Sequence, residues 1–298
     1  MNIVFDKDIN LFDNKSDFQI INILPHYKKY YKSIFFNYIN ELNFDINSIN
    51  SIHIIHNKPS YGTVKHFIKD NQIFFNIELS DDIIRYVSNI QNSTETFKAK
   101  SIVQHEICHC IEIKQLYDSK YLGNENPLYE NFKINTTYNF IYEQAVNIWS
   151  EFFACYYNRK INEWHECPNT ENDLIQLHKW ISSTKYCLNE NTSVYLCKEM
   201  LSFLHQFWYH MVSVIAVHLH NHEDILINDY KKEEYNFIDT YFDFIYQYLK
   251  ANLDFYPIWL SESNYIKLGK ALMKILEING ITYSTDDLSD NFIFVKGD

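Results

Sequence analysis

From Thr96 to Tyr117 the chain runs without a Gly or a Pro, and the middle of that run reads His105-Glu106-Ile107-Cys108-His109. Nothing in it breaks a helix. Ile102, Ile113 and Leu116 recur near helical spacing, so the run predicts an α-helix with an apolar side to bury. On such a helix, imidazoles four residues apart leave the same face one turn apart. Two neutral imidazoles there can share one divalent ion at about 2.0–2.1 Å each. At roughly 100° per residue, Glu106 sits about 80° to one side of the line bisecting the two histidines. Its carboxylate then reaches a metal-held water without displacing it, the division of ligand and base that hydrolysis by activated water requires. The bland alternative is a buried helix whose histidines only hydrogen-bond, since three fixed residues recur by chance in roughly a few per cent of chains this long.

A catalytic zinc centre usually has three protein ligands and one open position. A metzincin continuation needs Gly at position 112 and His at 115, where this chain has Glu112 and Gln115, and an inverted motif is absent. The remaining common route is a Glu on a second helix downstream, as in gluzincins. The stretch Tyr142–Asn158 suits it: Glu143, Asn147 and Glu151 fall at i, i+4 and i+8, one polar stripe on an otherwise apolar and aromatic helix. A carboxylate among Trp149, Phe152 and Phe153 is costly to bury unless paired or metal-bound. Ala154, three residues beyond Glu151, is small enough for close helix approach. Glu151 is the chosen third ligand and Glu143 the reserve; for either, a solvated helix face or a hydrogen bond to a tyrosine is the structural alternative.

On His105, Glu106, His109 and the Trp-Ser-Glu-Phe-Phe-Ala stretch at 149–154, the chain resembles zincin-fold metallopeptidases of the gluzincin type. The resemblance implies a zinc cofactor, a peptide or protein substrate, and a small sheet ahead of the motif helix whose edge strand lines the cleft. Gln72–Leu79 is the strand it assigns to that edge. It also implies a His or Tyr opposite the metal that donates to the developing oxyanion; His210 is the candidate, with His205, Tyr156 and Tyr157 beside it. One departure is Cys155, where thermolysin-like enzymes carry a histidine-orienting Asp, so that role passes to Asn147 or Glu112. Cys108 and Cys110 beside His109 read as small buried residues, although a thiolate there would close the site.

The expected fold is α+β and mostly helical: a small antiparallel sheet plus the motif helix, followed by a helical C-terminal lobe. Residues 26–42 carry apolar positions at helical spacing. Ser51–His56, Thr63–Ile68 and Gln72–Leu79 read as strands, with a tight hairpin turn at Lys69-Asp70-Asn71. After a polar interruption at 118–135, a lid or a loop beside the cleft, helices are predicted at 137–160, 170–184, 193–220, 233–252 and 262–279, and a short strand at Asp290–Lys296. Domains are drawn at 1–135, the α+β lobe with the motif helix, and 136–298, the helical lobe that supplies the third ligand.

Composition narrows the function classes. Five Gly and five Pro in 298 residues leave little material for a repetitive all-β architecture, and 24 Tyr with 22 Phe argue for a filled interior. A net charge of −12 argues against nucleic acid, which needs concentrated Lys and Arg. No secretory leader is visible, and Met211–Leu219 falls far short of the roughly 20 apolar residues of a membrane span. Six irregularly spaced cysteines suggest reduced thiols, so the expected location is cytoplasmic. His218 and His222 lack the following Glu of a second motif, and His165 with Cys167 has no partner pair. Three functions then compete: a zinc peptidase, a non-catalytic binding or regulatory protein on the same scaffold, and a hydrolase of a non-peptide amide.

Overall fold

The computed structural model describes residues 1–6, 9, 17–88, 93–119, 137–162, 170–189, 194–221, 240–253, 262–278, 280–283 and 294–296. Among these, eight α-helices accompany a small four-stranded mixed sheet, so the chain is α+β and mostly helical. It divides into two compact units. The first is Met1–Tyr117 with Lys160–Glu163, the second Asp118–Arg159 with Trp164–Asp298.

The first unit begins β1 (Asn2–Phe5), α1 (Asp17–Asn40), a 3-10 turn at Ile46–Ser48 and β2 (Ile49–Ile55). It continues with β3 (Gly62–Lys69), β4 (Gln72–Ser80), α2 (Asp82–Ser88) and α3 (Ser93–Asp118). The sheet order is β1-β2-β4-β3, with β1 and β4 both parallel to β2 and only β3/β4 antiparallel. The sheet is therefore mixed, not antiparallel as expected. The reason is α1, a crossover that returns the chain to lay β2 parallel to β1. A second correction concerns the edge. Gln72–Leu79 forms the inner strand β4, whose Ile73, Phe75, Ile77 and Leu79 alternate into the core. The edge on that side is β3, nowhere buried, with Lys65 and Lys69 among its exposed residues.

The β3–β4 turn is the expected tight hairpin. Asp70 and Asn71 have φ of 50° and 56°, the pair of left-handed residues that a type I′ turn demands and that Asp and Asn tolerate. Helix α1 starts nine residues before the predicted His26 and contains Pro25, which costs it one internal hydrogen bond. Its Tyr31, Phe35 and Ile39 pack inward at four-residue spacing. Gln104 of α3 ties the two helices together: its buried amide donates to the Tyr38 carbonyl at 3.0 Å, one of the acceptors left over at the end of α1, and to Glu41 at 3.1 Å.

The second unit is helical: α4 (Thr137–Asn162), α5 (Thr170–Asn189), α6 (Val194–His220), α7 (Thr240–Leu253) and α8 (Glu262–Ile278), with a hairpin of β5 (Ile281–Tyr283) and β6 (Phe294–Lys296). Helices α5 and α6 pair, as do α7 and α8. Helix α4 meets α8 closely at Gly269, where an added Cβ would run into the Ile141 carbonyl. Tyr142 and Tyr265 stack edge to face beside that contact, 5.5 Å between centroids. The expectations for 120–135, 233–239, 279 and 290–293 lie outside the described residues.

Candidate metal centre

The motif lies in the middle of α3, and the face it buries differs from the one read in the sequence. Ala99, Val103, Ile107 and Cys110 form the fully buried stripe, whereas Ile102, Ile113 and Leu116 are half-buried. That rotation leaves His105 and His109 half-exposed on the flank of the helix, where a ligand can reach them. Their Nε2 atoms are 3.2 Å apart and their rings nearly perpendicular, at 85°. Two nitrogens bound tetrahedrally at 2.0–2.1 Å must lie about 3.3 Å from each other, so the pair already has the spacing of two ligands on one ion.

Glu151 on α4 is the expected third ligand. It sits among the buried Trp149, Phe152 and Phe153, half-buried itself. One ligand atom each from His105, His109 and Glu151 lie within 4.8 Å of one another, the group of three among the described residues that can hold a metal. Two imidazoles and a carboxylate are the donor set of a catalytic zinc with an open fourth position. The side chain of Glu143, the reserve, lies outside the described residues, as do His165, Cys167 and His222.

Glu106 is buried, 6% exposed. It lies against Gly62, the first residue of β3: a Cβ at position 62 would occupy the space of the Glu106 carboxylate. The glycine is required here for room, since its backbone is not in the left-handed region. Cys108 and Cys110 are both buried, and burial, then the charge of Glu106, pushes the Cys110 thiol well above its usual range. A neutral buried thiol is a packing residue and not a ligand.

The two candidates for orienting a histidine separate. Asn147 is exposed on α4, whereas Glu112 is buried at 2% exposure, seven residues beyond His105 and three beyond His109 on the same helix. His210 is half-buried on α6, and the group of three ligands does not include it. Its neighbour Tyr209 stacks on His205 with 6.0 Å between centroids. Burial, then the negative charge of Glu151, pushes the Tyr209 hydroxyl up to about 12. Neither Gly62 nor Tyr209 carried a signal in the sequence. A space-making glycine is visible only once the strand and helix meet, and Tyr209 is one of 24 tyrosines.

Among the described residues no helix is long and apolar enough to cross a membrane. Comparisons with protein-family models, curated proteins and solved structures return no match to this chain.

Proposed function

We propose that this chain is a zinc-dependent peptidase. The observation that carries the reading is the His105–His109 pair, set at the chord of two ligands on one ion, with a buried carboxylate between them in sequence. The convergence of Glu151 on the pair supports it. So does the resemblance to gluzincin metallopeptidases on the motif and on residues 149–154.

His105, His109 and Glu151 would hold the ion, one ligand atom each. Bound there, zinc supplies Lewis acidity and brings the pKa of a water down toward about 7. Glu106 would serve as general base and then general acid, accepting a proton from the attacking water and returning it to the leaving amine, and its placement against Gly62 sets it apart from the proposed ligands. Glu112 orients the imidazoles from behind. The hydrogen bond to the developing oxyanion is assigned to Tyr209, whose hydroxyl stays protonated across the working range and lies within the field of Glu151. His210, one residue on, is another donor that α6 offers.

The test is Glu106→Gln. The variant is expected to keep one zinc per chain by metal analysis and by anomalous scattering at the zinc edge, while peptide cleavage falls about 10²–10⁴-fold, the usual loss for a removed general base. A variant as active as the parent, or a parent that binds no zinc, overturns the reading.

A further inference from the structure

Seven residues before His105, and so on the same side of α3, stands Lys98. Its ammonium donates to the Tyr61 hydroxyl at 3.3 Å and also hydrogen-bonds the hydroxyl of Tyr86. It lies over both rings, 5.0 Å from the Tyr61 centroid and 4.8 Å from that of Tyr86. Tyr86 is buried, and Arg85 also lies over its ring, the guanidinium 5.0 Å from the centroid and 3.3 Å from the hydroxyl. Asp82 pairs with Arg85 at 3.3 Å. Among the described residues no carboxylate pairs with Lys98; its partners are the two phenols.

That arrangement is unusual in a chain of net charge −12, where carboxylates outnumber cations. Two aromatic faces and two hydroxyls fix an exposed ammonium in one place, so the ordering cost that a mobile surface lysine incurs on binding is already met. Tyr61 also immediately precedes Gly62, the residue that makes room for Glu106. One dipeptide therefore holds the cation with its first residue and accommodates the carboxylate of the centre with its second.

We propose that Lys98, clamped between Tyr61 and Tyr86, is a subsite for a carboxylate of the substrate, so that the enzyme prefers peptides with an acidic group near the bond it cuts. This rests on the peptidase reading. Seven helical residues span about 10.5 Å. An extended peptide covers that in about three residues, which sets where the acidic group must fall. The overall negative charge does not forbid an acidic substrate, because beyond about 8–10 Å it is screened at physiological salt and the nearest cation sets the local field.

The test uses the full zinc-loaded chain and acetylated, amidated hexapeptides of alanine carrying one Glu at each position in turn, each paired with its Gln counterpart. Cleavage rates are read for the parent chain, and affinities by calorimetry on Glu106→Gln. The Glu peptide is expected to be favoured roughly fivefold at one position about three residues from the cut, the upper range for an exposed ion pair. That preference fades toward 1 M salt. Lys98→Met, which keeps the aliphatic stem over the rings, brings the Glu/Gln ratio to about one. Tyr61→Phe, which removes only a hydroxyl tether, lowers it part of the way. A preference that survives Lys98→Met, or equal handling of Glu and Gln peptides at every position, overturns the subsite while the peptidase reading stands. Loss of melting temperature in Lys98→Met with an unchanged ratio shows that the lysine only braces α3, and also overturns it. Failure of the peptidase reading shows separately, as absent zinc.

Discussion

Helices α3 and α6 are nearly the same length, 26 and 27 residues, yet they solve burial in opposite ways. Helix α6 buries what water rejects: Leu204, Phe207, Trp208, Met211, Val212, Ile215 and Leu219 recur at three- and four-residue steps. Helix α3 hides Gln104, Glu106 and Glu112 beside a thin stripe of small apolar side chains. Taking carboxylates out of water costs several kcal/mol each unless something compensates them. Nothing about holding a domain together calls for that expense on one helix. The difference fits the proposed assignment: most of the α6 face is explained by hydrophobic burial, whereas the two buried carboxylates of α3 are the groups to which a bound ion would give work.

The comparison breaks most easily at its apolar end. Trp208 is fully buried on α6. Trp208→Ala should lower the unfolding free energy by about 3–5 kcal/mol, the usual range for emptying a large aromatic site, seen as a shift of the denaturant midpoint. The folded fraction should still bind zinc as the parent does. A variant that loses stability and metal affinity in proportion would mean that the α6 core and the centre are not separable.

Gly62→Ala tests the polar end without touching a polar atom. The added methyl needs the space of the Glu106 carboxylate, so the proposed base must move while the proposed ligands are left in place. A misplacement of about 1 Å typically costs 10²-fold, and turnover is expected to fall about that much with zinc stoichiometry unchanged. A kcat that holds while KM alone rises would show that the strand, and not the base, had shifted.

These two sites also mark how far the sequence could be read. The motif helix, the β3–β4 turn and most helices of the second unit follow from local rules: no breaker in 96–117, Asp-Asn between alternating strands, apolar residues at helical spacing. What escaped was set by distant contacts. Strand β1 is four residues of ordinary composition and means nothing until α1 carries the chain back beside it. Parallel pairing with β1 on one side and β4 on the other cannot be inferred from alternation in β2. The buried stripe of α3 runs through the small Ala99 and Cys110, whereas the larger Ile102, Ile113 and Leu116, which dominate the sequence pattern, are only half-buried. His105, His109 and Glu151 stand out as candidate ligands because metal-binding chemistry is in their identity, and their ligand atoms lie within 4.8 Å of one another. Gly62 was not, because its role is an absence of atoms.

Glu112→Gln asks the subtlest question, whether the buried polar groups of α3 work as one unit. Removing the charge keeps the shape, so the helix should remain folded. An imidazole that loses its orienting carboxylate is a weaker and less fixed ligand, and such substitutions usually cost 10–100-fold in metal affinity. Competition with a zinc chelator should therefore strip the variant at a chelator level at least tenfold lower than the parent. The hydrophobic core of α6 is untouched, so the metal-free melting temperatures of the two proteins should nearly coincide. If instead the metal-free variant melts higher and zinc binds as before, Glu112 is a buried charge that merely burdens the fold. Helix α3 would then need another explanation for what it hides.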